Sequence, residues 1–163
     1  MRLGLRGQRR RVWAPRGVKV CQRVEMRYRW KYRAVAVESL QGKLWWEWME
    51  EMKKESVAAV VRRWRAQGIA GLIWDRAPSH RAGVVQQVGV KLVPLEAYSP
   101  ELNPPERLFE EIRARVEGRI SGELERKVEA VERFLRELAS DRERVKRLVG
   151  WSWIQRALQQ LPA

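Results

Sequence analysis

Residues 71–93 read GLIWDRAPSHRAGVVQQVGVKLV, and this stretch decides the fold. Its first apolar run, residues 72–74, is short and does not alternate with polar residues, which is typical of a central strand buried on both faces. A second apolar run, residues 90–93, follows a short helical pattern at residues 82–88. A strand, a helix and a second strand in this order predict two parallel strands.

Two further strands are predicted upstream of this unit. Residues 26–37 are enriched in aromatic and β-branched residues, and residues 43–48 continue that pattern after Gln41 and Gly42. The two segments therefore predict an antiparallel pair joined by a turn at Gly42.

A helix is predicted between the antiparallel pair and the parallel unit. Its apolar positions recur at the spacing of one helix face: Val57, Val60, Val61 and Trp64. Ser56 is a preferred residue type for the N-cap, and Gly68 suits the position just after the C-cap.

The C-terminal part is predicted to be helical. Asn103 is a preferred N-cap, and the prolines after it are tolerated in a first helical turn. A second helix covers residues 124–138, and Ser140 with Glu143 predicts a capping box for a last helix. The order of elements is β, β, α, β, α, β and then helices, so the predicted fold is an α/β domain with a mixed sheet flanked by helices.

Composition indicates a polyanionic partner. The 163 residues carry 34 Lys+Arg against 20 Asp+Glu, a formal net charge of +14. Neutralising phosphates releases counterions, so nucleic acid is the partner that this charge favours. The single cysteine, Cys21, cannot form an internal disulfide, and no apolar run approaches the roughly 20 residues that span a bilayer. We therefore expect a cytoplasmic protein without a membrane segment.

Two motifs together resemble a known family. Residues 74–80 read WDRAPSH and residues 98–106 read YSPELNPPE, and both are similar to the signature of mariner-like DDE insertion-sequence transposases. Residues 11–17 and 28–42 also resemble the early strands of bacterial members. The resemblance implies a ribonuclease-H-like catalytic domain that holds two divalent ions, Mg²⁺ or Mn²⁺, with three carboxylates and cuts or joins double-stranded DNA at transposon ends and target.

The resemblance assigns Asp75 as the second carboxylate and Glu106 as the third, with His80 and Asn103 as site neighbours. Mg²⁺ is a hard ion that takes oxygen ligands, and two ions stabilise the attacking and leaving oxygens at a phosphorus. Arg9, Arg10, Arg11 and Arg16 are weaker candidates for contacts to the DNA backbone.

The family's first carboxylate is an Asp at the end of the first strand, and here that position would precede Met1. Residues 1–5 resemble the residues that follow the family's Asp-Glu pair, and no aspartate precedes Asp75. We therefore expect residues 1–163 to form a single DDE-type catalytic domain that lacks the first central strand and the upstream helix-turn-helix region. The metal site would be incomplete, and the chain inactive alone unless a homo-oligomer or an upstream polypeptide supplies the missing strand.

Structural alternatives exist for each candidate. Glu106 lies three residues after Asn103, as a capping-box glutamate does, and Asp75 is placed to cap a turn through Ala77. Glu101 or Glu110 is an alternative third carboxylate, because Glu106 lies only 31 positions after Asp75.

The tryptophans are predicted to be core residues rather than base-stacking platforms: Trp45, Trp46, Trp48 and Trp64. The alternative function is that of a non-catalytic basic nucleic-acid-binding protein, whose carboxylates would be structural.

Overall fold

A computed structural model describes residues 1–7, 13–21 and 24–159. The strands are β1 Arg2–Gly4, β2 Trp30–Glu38, β3 Lys43–Met49, β4 Gly71–Trp74 and β5 Lys91–Pro94. The helices are α1 Lys54–Ala66, α2 Gly83–Gln86, α3 Pro105–Val116, α4 Leu124–Ser140, α5 Arg142–Val149 and α6 Ser152–Gln159, and a 3₁₀ turn Pro100–Leu102 precedes α3. Within these described ranges, no helix has the length and apolar character needed to cross a membrane.

The first three strands form an antiparallel sheet in the order β1-β2-β3. The predicted antiparallel pair is confirmed, since β2 and β3 pair from Tyr32↔Met49 to Glu38↔Lys43. Gly42 has a φ of +66° in the connecting turn, a backbone conformation that glycine adopts without steric cost. The turn at Gly42 is thus confirmed as well.

The start of the chain is more ordered than its sequence predicts. Residues 1–5 were expected to follow a strand, yet Arg2–Gly4 is itself a strand that pairs with β2. Antiparallel pairing with β2 explains the difference, because it gives these residues backbone hydrogen-bond partners. Gly4 lies against the ring of Trp30, where a side chain would collide with it.

The antiparallel sheet is covered on both faces. Side chains alternate along β2, so that Val35 and Val37 pack against α3, α4 and α5, whereas Ala34 and Ala36 pack against α1 and the β4-α2-β5 unit. The result is two apolar cores, one on each side of one sheet. The prediction that the tryptophans are core residues is confirmed for Trp64, which is 5% exposed, and the three on β3 pack partly buried against these cores.

The predicted pair of parallel strands is confirmed, but the predicted burial of its first strand on both faces is not. Strands β4 and β5 pair in parallel around α2 and form a separate two-stranded sheet. Ile73 is 43% exposed and Val93 is 38% exposed, so the prediction of a strand buried on both faces is wrong. Only one face of this small sheet packs against a helical layer, through Leu72, Trp74 and Leu92.

Three predicted helix starts are wrong by a few residues. Helix α1 begins at Lys54, which places Ser56 inside the first turn. The N-cap of α3 is Pro104 rather than Asn103, and that of α5 is Asp141 rather than Ser140. Asp141 rather than Ser140 caps α5, because the Asp141 carboxylate accepts the backbone N–H of Arg144 at 2.9 Å.

The two long C-terminal helices are otherwise as predicted, and α6 was not predicted. The apolar face of α4 is buried at Leu124, Val131, Leu135 and Leu138. The predicted position of Gly68 after the C-cap of α1 is confirmed by its φ of +93°.

Candidate active site

Asp75 is the first residue after β4. Its Oδ1 accepts the backbone N–H of Ala77 at 3.0 Å and lies 2.6 Å from His80 Nδ1, so the turn-capping contact expected from the sequence is present. Among the described residues, Oδ2 has no hydrogen-bond partner. The carboxylate therefore keeps one oxygen for a ligand while the other oxygen orients it.

His80 is held in place from two sides. Its ring stacks on the ring of Trp74 with centroids 4.3 Å apart and planes 4° from parallel, and the side chain is 15% exposed. The hydrogen bond from His80 lowers the pKa of Asp75; burial opposes this effect and the Ala77 N–H adds to it. The structure thus keeps Asp75 ionised and fixed beside His80.

Glu106 lies in the first turn of α3. Its carboxylate makes no capping hydrogen bond, and instead lies 3.6 Å from Arg113 Nη2. The capping-box alternative is therefore wrong for Glu106. Asn103 contributes its backbone carbonyl, which accepts the Glu106 N–H at 3.0 Å.

The charges of Asp75 and Glu106 both act on the amino group of Met1, at the beginning of β1. The Met1 ammonium donates to the Arg33 carbonyl at 2.8 Å. Burial lowers the pKa of this ammonium, and the negative charges of Glu106 and Asp75 raise it again while Arg113 lowers it. Both carboxylates are thus within electrostatic range of one buried group, although they are far apart in the sequence.

The alternative carboxylates lie elsewhere on the surface. Glu110 is exposed and pairs with Arg107 at 2.8 Å, and Glu101 is exposed in the 3₁₀ turn. Neither contributes to the electrostatic environment of Met1. Of the three glutamates, Glu106 is therefore the one whose charge, like that of Asp75, acts on Met1.

Carboxylate oxygens are the ligands that Mg²⁺ and Mn²⁺ prefer, so Asp75 and Glu106 fit a hard divalent ion in chemical type. In the described ranges, no group of three or more His, Cys, Asp or Glu side chains is close enough together to hold a metal ion. Asp75, just after β4, and Glu106, in the first turn of α3, are thus two candidate oxygen ligands.

The candidate DNA-contacting arginines are only partly described. Arg9, Arg10 and Arg11 lie outside the described residues. Arg16 is exposed in a turn.

One buried cluster was missed by the sequence analysis. Arg33 is 1% exposed, its Nη1 donates to Glu132 at 2.9 Å, and its guanidinium lies 4.2 Å from the ring centre of Trp48. The Arg33 backbone N–H donates to the Met1 carbonyl, and the Met1 ammonium donates to the Arg33 carbonyl. The cluster therefore anchors Met1 at the start of β1. The sequence signal that could have indicated this cluster is the β2–β3 hairpin, because its register places Trp48 opposite Arg33.

Comparisons with known proteins give a consistent result. A family model described as DDE superfamily endonuclease matches residues 1–127. Similar solved structures include the Mos1 strand transfer complex, with a TM-score of 0.66 and 18% identity, where the match covers 92% of this chain and 48% of that one. No curated protein matches the chain significantly.

Two further Mos1 structures match in the same way. The Mos1 transposase paired-end complex with the left transposon end has a TM-score of 0.64 at 19% identity and coverages of 92% and 49%. The Mos1 mariner paired-end complex with Mn has a TM-score of 0.61 at 20% identity and coverages of 88% and 47%. The chain thus spans about half the length of these Mos1 chains, and the similarity confirms the predicted ribonuclease-H-like α/β fold.

Proposed function

The chain belongs to the DDE superfamily of endonucleases, and from that premise we propose that residues 1–163 form the catalytic domain of a DNA transposase. The reaction would be metal-dependent cleavage and joining of DNA strands, with Asp75 and Glu106 as the second and third carboxylate ligands. The observation that carries the proposal is the family match over residues 1–127, which includes both motifs that contain Asp75 and Glu106.

The two carboxylates have distinct environments that suit this role. Asp75 is oriented by His80 and Ala77 through Oδ1, which leaves Oδ2 to bind an ion. Glu106 lies in the first turn of α3, 3.6 Å from Arg113 Nη2. Bound Mg²⁺ or Mn²⁺ would supply charge stabilisation for the attacking and leaving oxygens at phosphorus, with water or a DNA 3′-hydroxyl as nucleophile. No protein nucleophile is needed.

The partners we propose are double-stranded DNA at the transposon ends and at the target. The Mos1 structures include a complex with a left transposon end, and the net charge of +14 agrees with binding to a polyanion. A homo-oligomer or an upstream polypeptide would complete the site, and the protein would act in the cytoplasm.

We propose that the 163-residue polypeptide does not cleave DNA by itself. Family members use three carboxylates, and Asp75 and Glu106 supply two. A non-catalytic nucleic-acid-binding protein is the second candidate, and the net charge of +14 is the observation in its favour. Divalent-metal binding separates the two functions.

The first experiment measures Mn²⁺ binding to residues 1–163 by electron paramagnetic resonance. We expect weak binding that is lost in Asp75→Asn and in Glu106→Gln, because each variant removes one of only two ligands. Glu110→Gln is the matched control: it removes the same charge four residues along α3 and should bind Mn²⁺ like the parent. Equal binding by all four proteins would rule out the assigned ligands and favour the non-catalytic alternative.

The second experiment assays nicking of supercoiled plasmid DNA with Mg²⁺. Residues 1–163 should not nick, whereas a chain extended before Met1 by an apolar strand ending in Asp-Glu should nick in a manner that Asp75→Asn abolishes. Nicking by the unextended chain that Glu106→Gln abolishes would show that two carboxylates suffice, and would contradict the proposed inactivity.

A further inference from the structure

An open cavity of about 260 Å³ lies between the end of α3 and the beginning of α4. Four cationic side chains line it, and no described residue in its lining is acidic: Arg115, Arg119, Arg126 and Lys127. Glu111 pairs with Arg115 and Glu123 with Arg126, so part of this charge is already neutralised. A concave surface whose lining charges are all positive still favours an anionic ligand.

Two of the cations are fixed in position before any ligand binds. Arg115 donates to Glu111 at 2.7 Å and its guanidinium lies 3.8 Å from the ring centre of Phe134. Lys127 is 4% exposed and donates to the backbone carbonyls of Gly4 and Leu5 at 3.0 and 3.3 Å. Ordering of these side chains has thus already occurred on folding, which lowers the entropic cost of binding.

The other two cations are free to bind. Among the residues described, Arg119 is exposed and has no hydrogen-bond or ion-pair partner. Arg126 is 71% exposed, and its only ion pair, with Glu123 at 3.5 Å, is exposed on both sides and therefore weak. Helix α4 also begins without a side-chain cap, so its first N–H groups add positive potential at the same end of the cavity.

The cavity lies next to the beginning of β1. Val116 and Lys127 line both this cavity and a smaller one that Met1 and Arg2 also line. Val116 follows Glu106 by ten positions along α3, which is about 15 Å at 1.5 Å per residue. That distance corresponds to about four steps of 3.4 Å along one DNA strand. One DNA molecule can therefore reach the carboxylates and the cavity together.

We propose that this basic cavity binds backbone phosphates of duplex DNA beside the site of Asp75 and Glu106, an inference that rests on the proposed function. Arginine matches phosphate geometry through two N–H groups, which suits Arg119 and Arg126. Contacts to phosphates position a duplex without reading its sequence. The cavity therefore contributes affinity and register, and no base preference.

The test measures the affinity of residues 1–163 for a labelled 30-base-pair DNA duplex over a series of salt concentrations. In the variant Arg119→Ala/Arg126→Ala, we expect the slope of log K against log salt to become shallower by about two, and the affinity at 0.1 M salt to fall at least about tenfold. The matched control is Arg62→Ala/Arg147→Ala. It removes the same charge from exposed arginines on α1 and α5 and should change the slope by less than about one.

A further variant separates charge from folding defects. Arg119→Lys/Arg126→Lys keeps the charges and should keep the slope, and all variants should melt at the parent temperature because both side chains are exposed. Equal slopes for the cavity variant and the control variant would overturn the proposal, as would a cavity-dependent slope with duplex RNA alone. A parent chain that binds no DNA would instead refute the DNA partner in the proposed function. Direct binding of tripolyphosphate by such a chain would overturn the proposal, because a small polyanion would then be the ligand.

Discussion

Replacing Glu132 by alanine should remove the side-chain partner of Arg33, whose backbone holds Met1 at the start of β1. Glu132 accepts hydrogen bonds from Arg33 at 2.9 Å, from Trp46 at 3.1 Å and from Trp48 at 3.1 Å. Arg33 is 1% exposed, and its Nε and Nη2 are buried without a hydrogen-bond partner. In Glu132→Ala the buried guanidinium would therefore lose the only ion pair that it makes among the described residues.

The expected magnitude follows from that unpaired charge. Removing one partner of a buried ion pair costs about 3–5 kcal/mol, because the remaining charge stays desolvated. For a chain of this size, such a loss in the free energy of unfolding lowers Tm by about 6–20 °C. The neighbouring variant Glu129→Ala should stay within about 0.5 kcal/mol of the parent, since Glu129 is exposed on the same helix.

The assay is urea unfolding at pH 7 followed by tryptophan fluorescence. A double variant, Arg33→Met/Glu132→Ala, should be more stable than Glu132→Ala alone, because it also removes the uncompensated charge. A double variant less stable than the single one would refute the reasoning, as would a Glu132→Ala protein within 1 kcal/mol of the parent.

The same cluster predicts a pH dependence. Burial acts to raise the pKa of Glu132, but hydrogen bonds from Arg33, Trp46 and Trp48 outweigh burial and lower this pKa to about 2 from its usual 4.5. A carboxyl whose pKa is lower in the folded state stabilises that state above its unfolded pKa. The stabilisation should therefore be complete above about pH 4.5 and be lost as the pH falls towards about 2, and the stability of Glu132→Ala should change less over that interval.

Two further predictions concern the site and a helix cap. In His80→Ala, the pKa of Asp75 should rise towards 3.8 because the hydrogen bond from His80 is lost. Carbon-detected NMR titration can measure this pKa, since Asp141 is the only other aspartate in the sequence. An unchanged pKa would show that His80 does not orient Asp75. Asp141→Ala should destabilise the fold by about 1 kcal/mol, because it removes the cap of α5, whereas Ser140→Ala should have a much smaller effect; equal losses in thermal melts of the two variants would contradict the assignment of the cap.

Much of the fold could be predicted because its signals are local. The alternation along β2, the apolar spacing in α1 and α4, and the glycines after α1 and before β3 each report a backbone conformation within a few residues. Helix starts were harder to predict, since Ser140 competes with Asp141 as the cap of α5, and α3 begins without any side-chain cap. Which residue becomes the N-cap depends on the path of the chain before the helix.

Burial of polar residues also could not be predicted. Arg29, Lys31 and Arg33 alternate along one face and look equivalent in the sequence. Only Arg33 is buried, because Trp48 and Glu132 enclose it from the neighbouring strand and from α4. The division of the strands into two sheets was missed for the same reason, since it depends on pairing between distant segments.

The sequence by itself determined the types of element, their order and the motifs that contain Asp75 and Glu106, because periodicity, turn residues and motif spacing are properties of neighbouring positions. Only the tertiary structure decided that the charges of both carboxylates act on the amino group of Met1, that Arg33 binds Met1 through its backbone, and that four cations line one cavity near the start of β1. These arrangements join residues that are far apart along the chain. They arise from packing of α3 and α4 against β1 and β2, which local patterns do not specify.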